Sequence, residues 1–210
     1  TLCQRITYEG KGVIGISAIL SPNSMLLMGQ GETIRQFKKR AKTELTTAGS
    51  VRINREHWPP LHTPIVWSKA IPNRAAVLLQ TLDIKLETPN PPVLSTVTGT
   101  LAYKSHNARE IIHRWIDHPQ RLWDVVCELL SRSVETIIHV GPGPNIIPAT
   151  FKRLSENIEL QTKGSFRTRT LSRMARRPWL SAMLPQRAVL LRAPFVKHII
   201  LEDWLLDSPT

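Results

Sequence analysis

Residues 119–144 read PQRLWDVVCELLSRSVETIIHVGPGP, and this stretch decides the fold class. Leu122, Val125, Val126, Leu129 and Leu130 recur at i, i+3, i+4, i+7 and i+8, the apolar stripe of a helix lying on a core. Glu135–Val140 then switches to a short apolar run with β-branched residues, a strand. Gly141-Pro142-Gly143-Pro144 breaks it, and a second helix is predicted over about 147–156. Helix, strand, glycine loop and helix in succession predict a parallel sheet with helical crossovers, the α/β class. The loop is neither GxGxxG nor a Walker sequence, so its default reading is a structural turn.

Towards the N-terminus, Pro119 is expected to restart a helix as a first-turn residue. The helix before it, about 108–118, has Ser105 as its candidate cap. Asn90-Pro91-Pro92 leads into a predicted short strand, Val93 to Val97, and a helix is expected near 73–82. Residues 55–67, REHWPPLHTPIVW, contain Pro59, Pro60 and Pro64, which forbid a regular helix. His62 therefore sits in a stiffened loop, as suits a general base, whose geometry must be fixed and whose pKa must lie near the working pH. One His among seven is by itself a weak signal. Further back, residues 12–29 (GVIGISAILSPNSMLLMG) place two apolar runs around Ser21-Pro22-Asn23-Ser24, a strand–turn–strand pattern. A helix over 33–45 and a short strand over 50–54 complete a small α+β unit.

Towards the C-terminus, residues 161–177 (QTKGSFRTRTLSRMARR) are basic and poor in large apolar groups, and read as a linker or arm. Apolar residues return from Trp179 to Trp204, too many to leave in water, so this segment is expected to dock on the body.

Composition bounds the function. With 41% hydrophobic and 21% charged residues, the 210-residue chain reads as globular rather than disordered. The longest apolar runs are too short to cross a membrane, and the first twenty residues lack the layout of a signal peptide. Cys3 and Cys127 are too few and too far apart for a disulfide framework or a CxxC metal site, so a reducing, cytoplasmic setting with no metal is expected. The net charge of +12 favours anionic partners. Zinc-finger spacing and RNP-like aromatics are lacking, so charge alone speaks for nucleic acid, which is not expected as a partner.

Five of these pieces, in order, resemble the malonyl-CoA:acyl carrier protein transacylase family and the acyltransferase domains of polyketide synthases. Ser21–Gly29 (SPNSMLLMG) is similar to the family's NSPGQ-VISG segment, with Met28 where Ser is usual. Leu61-His62-Thr63-Pro64 is similar to its FHSP or FHTP loop, and Pro92–Gly99 (PVLSTVTG) to PVISNVTG, with Thr96 for Asn. The helical pair around Pro119 follows, then His139–Gly143 (HVGPG) and Lys152-Arg153-Leu154, similar to EVGPG and KRI. The resemblance spans about residues 12–158.

It implies a partial α/β hydrolase-like acyltransferase domain with a ferredoxin-like (α+β) small subdomain. Residues 1–58 would be the small subdomain, 59–158 the C-terminal share of the large one, and 159–210 a basic linker and unassigned apolar tail. It implies malonyl transfer from malonyl-CoA to acyl carrier protein in fatty acid or polyketide biosynthesis, with the coenzyme A thioester as substrate and no other cofactor. His62 takes the catalytic histidine's place, and the main-chain carbonyl of Trp115, where Gln is common, would orient its ring. Leu61 precedes the His, where related domains select the acyl group, but Pro59-Pro60-Leu61 matches neither the malonyl nor the methylmalonyl pattern. The cluster Lys163, Arg167, Arg169, Arg173, Arg176 and Arg177 is a candidate docking surface for the carrier protein or coenzyme A phosphates. The family's GHSxG nucleophile elbow is absent and the sequence opens at Thr1, so a fragment without transferase activity of its own is expected. The alternatives are a non-catalytic acyltransferase-like interaction module and a basic nucleic-acid-binding protein.

Overall fold

The computed structural model describes residues 2–10, 12–44, 60–141, 146–164, 166–175, 177 and 186–207. The strand expected at 50–54 and the Pro142–Pro144 part of the glycine loop lie outside them. The chain divides into two compact units, 1–123 and 124–210.

In the first unit, helix α1 (Leu2–Tyr8) precedes an antiparallel hairpin, β1 (Ile14–Ser21) and β2 (Ser24–Gly29), and helix α2 (Gly31–Glu44) follows. The hairpin forms where the two apolar runs predict it, turning at Pro22-Asn23. Phe37 and Ala41 lie one helical turn apart on α2 and join Leu2, Cys3, Ile6 and Ile14 in a buried cluster. Gly12 has φ +99, and a Cβ there would collide with the Thr33 hydroxyl, so the bend between α1 and β1 requires glycine.

A 3-10 helix (Pro64–Lys69) follows the proline-rich loop. Pro64 stands in its first turn, and the Thr63 hydroxyl accepts from Ile65 N at 3.3 Å. Helix α3 (Ile71–Thr81) comes next. Val93–Val97 forms no strand. Its polar groups serve a tight turn instead, with Ser95 N donating to Thr100 O at 3.0 Å and Gly99 N to Ser95 O at 2.7 Å. Pro91 and Pro92, without N–H groups, offer no ladder to extend.

Helix α4 (Ala108–Arg114) is shorter than the sequence predicts, and its cap residue is Asn107, not Ser105. Asn107 Oδ1 accepts from Lys104 N at 2.8 Å. Pro119 does not start a helix. The chain crosses 115–121 as a loop, and α5 begins at Leu122. That loop bonds to β1: Gln120 N donates to Ser17 O and Ile19 N to Gln120 O, both at 2.8 Å.

Helix α5 (Leu122–Ser131), whose residues from Asp124 on belong to the second unit, buries Val125, Val126 and Leu130, three of the five stripe residues. Ser133 ends the helix with φ 60, its N–H on Leu130 O. Strand β3 (Thr136–His139) pairs in parallel with β4 (Lys197–Ile200), so the C-terminal apolar segment supplies the strand beside the glycine loop. The crossover runs through α6 (Ile146–Gly164), α7 (Phe166–Ala175) and a 3-10 helix (Gln186–Phe195). The basic stretch is therefore helical where it is described, rather than an extended arm. Ala175 packs inward at 1% exposure, and Lys163 and Arg173 carry charge on the way. Helix α8 (Leu201–Asp207) ends the described chain. Among the described residues no helix is long and apolar enough to cross a membrane.

Candidate active site

His62 is half-buried and stands at φ 61, in the left-handed region that few residues other than glycine adopt. Its neighbours hold it there. His62 N donates to Ile116 O at 2.7 Å, the Ser17 hydroxyl donates to Leu61 O at 3.1 Å, and the Thr63 hydroxyl donates to Pro60 O at 2.6 Å. Beneath the loop lies Gly15 of β1, where a Cβ would sit 3.3 Å from both Thr63 Cβ and Pro64 Cδ. A larger residue at 15 would push the loop away from the strand. Thr63 is fully buried, so the loop is anchored on both sides of the imidazole.

The ring is fixed from the loop that follows α4. His62 Nδ1 lies 2.6 Å from Trp115 O. A carbonyl only accepts, so Nδ1 carries the proton and donates it. The lone pair of the neutral ring is then on Nε2, on the opposite edge. The Trp115 indole meets the imidazole edge-on, centroids 4.7 Å apart and planes at 70°. Leu61 contributes its carbonyl to the anchoring and is half-buried beside the His.

Gln120 stands behind this pair and was not foreseen from the sequence. Only 7% exposed, its amide nitrogen lies 3.2 Å from His118 O, 3.5 Å from Trp115 O and 3.2 Å from His62 Nδ1. Two donors cannot bond each other, so with Nδ1–H aimed at Trp115 O the carboxamide donates to the two loop carbonyls. Its oxygen accepts from the Thr96 hydroxyl, and Arg121 N donates to Thr96 O at 2.6 Å. The PVLSTVTG stretch thus braces the loop that orients the imidazole. Asp117 secures the loop's outer side, taking the Trp67 indole N–H at 2.9 Å and lying 2.6 Å from His118 Nδ1. A polar Gln two residues after an Asp-His pair gives no sequence signal, because its partners are main-chain atoms brought together only by folding.

The arrangement leaves the ring's lone pair on Nε2, with the tautomer set by the Trp115 carbonyl. Burial pushes both thiols, Cys3 and Cys127, above the usual range, which works against either as a thiolate nucleophile. Among the described residues no group of three or more His, Cys, Asp or Glu could hold a metal ion.

No protein-family profile matches this sequence, and no curated protein matches it. Solved structures do. The chain is similar to FabD from Acinetobacter baumannii, with a TM-score of 0.57 at 20% identity over 69% of this chain and 44% of that one. It is similar to an acyl carrier protein S-malonyltransferase from Vibrio cholerae, with a TM-score of 0.58 at 20% identity over 71% of this chain and 47% of the other. It also matches a malonyl-transacylase solved in complex with a type II polyketide synthase acyl carrier protein, with a TM-score of 0.57 at 20% identity, covering 71% and 45% of the respective chains. The chain spans less than half the length of these structures, and what it shares with them is the malonyltransferase fold over about 70% of its own residues.

Proposed function

We propose that this chain is the histidine-bearing portion of an acyltransferase that moves a malonyl group from malonyl-CoA to acyl carrier protein. His62 is its general base. The observation that carries the reading is the 2.6 Å contact between His62 Nδ1 and the Trp115 carbonyl, which leaves Nε2 free to accept a proton. The malonyltransferase fold of the neighbours and the five motifs in order support it.

The chemistry follows from that nitrogen. Nε2 removes the proton of a serine hydroxyl as its oxygen attacks the thioester carbonyl. The coenzyme A thiolate leaves and takes the proton back from the imidazolium. In the second half, Nε2 removes the proton of the carrier protein's phosphopantetheine thiol, which attacks the acyl-serine and frees the hydroxyl. The Trp115 carbonyl stabilises the imidazolium formed in each half. No GxSxG occurs in the sequence, so the serine belongs to a segment outside these 210 residues. Malonyl is the default acyl group, and the positive charge suits an acidic carrier protein and coenzyme A phosphates.

Two measurements test this. Long-range 1H–15N correlation at pH 8 reads the His62 tautomer, and the Nδ1–H form is expected. Radiolabelled malonyl transfer is then assayed with the chain alone and with a separately produced malonyltransferase segment that carries the nucleophile elbow. No transfer is expected alone, and restored transfer that falls by roughly 10³-fold or more with His62→Ala is expected together. An Nε2–H tautomer, or equal transfer with His62→Ala, defeats the assignment.

A further inference from the structure

Arg192 is 5% exposed, and among the described residues its guanidinium has one hydrogen bond, Nη1 to Leu130 O at 2.8 Å. A guanidinium has five N–H donors in a fixed fork, so it can take further acceptors beside Leu130 O. Burial pulls its pKa below the usual arginine value, while the Glu135 carboxylate pushes the other way. Glu135 is itself exposed. Arg192 lines a cavity of about 440 Å³ together with Val134, Glu135, Thr136, Phe195 and Val196. That volume falls within the ~300–1,000 Å³ of small-molecule sites.

We propose that this cavity, at the start of β3, binds a small organic carboxylate with an apolar body. The planar fork of Arg192 matches the two oxygens of a carboxylate, and Leu130 O already holds the guanidinium in place. Val134, Phe195 and Val196 offer apolar wall for a short hydrocarbon chain, and Thr136 also lines the cavity. The Glu135 carboxylate offsets part of the arginine's charge, which favours a monoanion over a doubly charged phosphate. The site is built from residues of the second unit and does not depend on the role given to His62.

The experiment titrates the full 15N-labelled chain with hexanoate, and separately with inorganic phosphate, at constant ionic strength. It follows the Arg192 Nε–H and Thr136 amide resonances. Saturable shifts of both with hexanoate and much weaker ones with phosphate are expected. Arg192→Lys, which keeps the charge and loses the fork, should weaken binding about tenfold. Glu135→Gln, an exposed change that spares the fold, should tighten hexanoate about two- to threefold by removing the opposing charge. Shifts that do not saturate, that phosphate reproduces equally, or that Glu135→Gln leaves unchanged overturn the proposal, even if Arg192→Lys fails to fold.

Discussion

At the scale of single residues, the candidate site depends on groups that make no chemistry of their own. Gln120 holds two loop carbonyls and the Thr96 hydroxyl while its main chain bonds β1. Gln120→Leu keeps the volume but removes the hydrogen bonds to the part-buried Thr96 hydroxyl and to the two loop carbonyls, at a cost of about 1 kcal/mol. Urea denaturation should register that loss. The same variant should release the Trp115 carbonyl from its position, so the His62 ring should shift from a single Nδ1–H form to a mixture of tautomers. A stability loss with the tautomer unchanged would leave Gln120 a packing residue only. The stiff loop around His62 is marked in the sequence by Pro59, Pro60 and Pro64, and the histidine itself is singled out there only by the family resemblance. Its bracing is not marked. Ser17, Gly15 and Gln120 act through main-chain oxygens and close approach, and neither leaves a pattern in sequence spacing.

At the scale of elements, periodicity reported most of what local physics controls. The β1–β2 hairpin, α2, α3 and α5 fall where apolar spacing places them, within a few residues at their ends. The failures share a cause. Val93–Val97 has strand composition but no neighbouring strand among the described residues, so its hydrogen bonds close a turn. Residues 161–164 and 166–175 have an arm's composition but are helical, because arginine and lysine are good helix formers. The parallel partner of β3 was invisible in advance, since pairing over about sixty residues is decided by tertiary packing. That pairing carries a pH dependence. His139 and His198 lie on one face of the β3–β4 ladder with Nε2 and Nδ1 2.9 Å apart, and the Phe151 ring stands edge-on to His198. Their planes differ by 13° with centroids 5.2 Å apart, which is an in-plane hydrogen bond between neighbouring rings rather than a face-to-face stack. Such a bond needs one acceptor nitrogen, so it cannot survive protonation of both rings. Burial lowers the pKa of each, and for His198 the neighbouring His139 lowers it further. The unfolded chain therefore takes up protons first as pH falls through about 6.5, and stability drops from there towards the lower folded-state values. Denaturant midpoints at pH 7.5 and 5.5 should show this loss. His139→Leu with His198→Leu should flatten that slope, and an unaltered slope would assign the pH response elsewhere.

At the scale of the whole molecule, charge and exposed apolar surface oppose each other. Val77 and Leu78 on α3, Ile138 on β3, Val140 just beyond it, and Trp204, Leu205 and Leu206 on α8 are each more than half exposed. Large apolar side chains at that exposure favour association, at about 25 cal/mol per Å² removed from water. The net charge of +12 resists it, since every copy repels every other. The repulsion is screened within about 10 Å at 0.1 M salt and about 3 Å at 1 M, whereas apolar burial is not weakened by salt. Self-association should therefore increase with ionic strength. Sedimentation velocity of the 210-residue chain at low and high sodium chloride tests this directly. A sedimentation coefficient that rises with salt and falls again with Leu78→Glu and Leu206→Glu fits apolar contact held off by charge. Complexes that instead dissolve as salt is added would show that ionic contacts hold the copies together and that the exposed leucines are bystanders. The same balance bears on the acyltransferase reading. An acidic carrier protein would be drawn to this surface by the charge that keeps copies of the chain apart, so its capture should weaken over the salt range in which self-association grows.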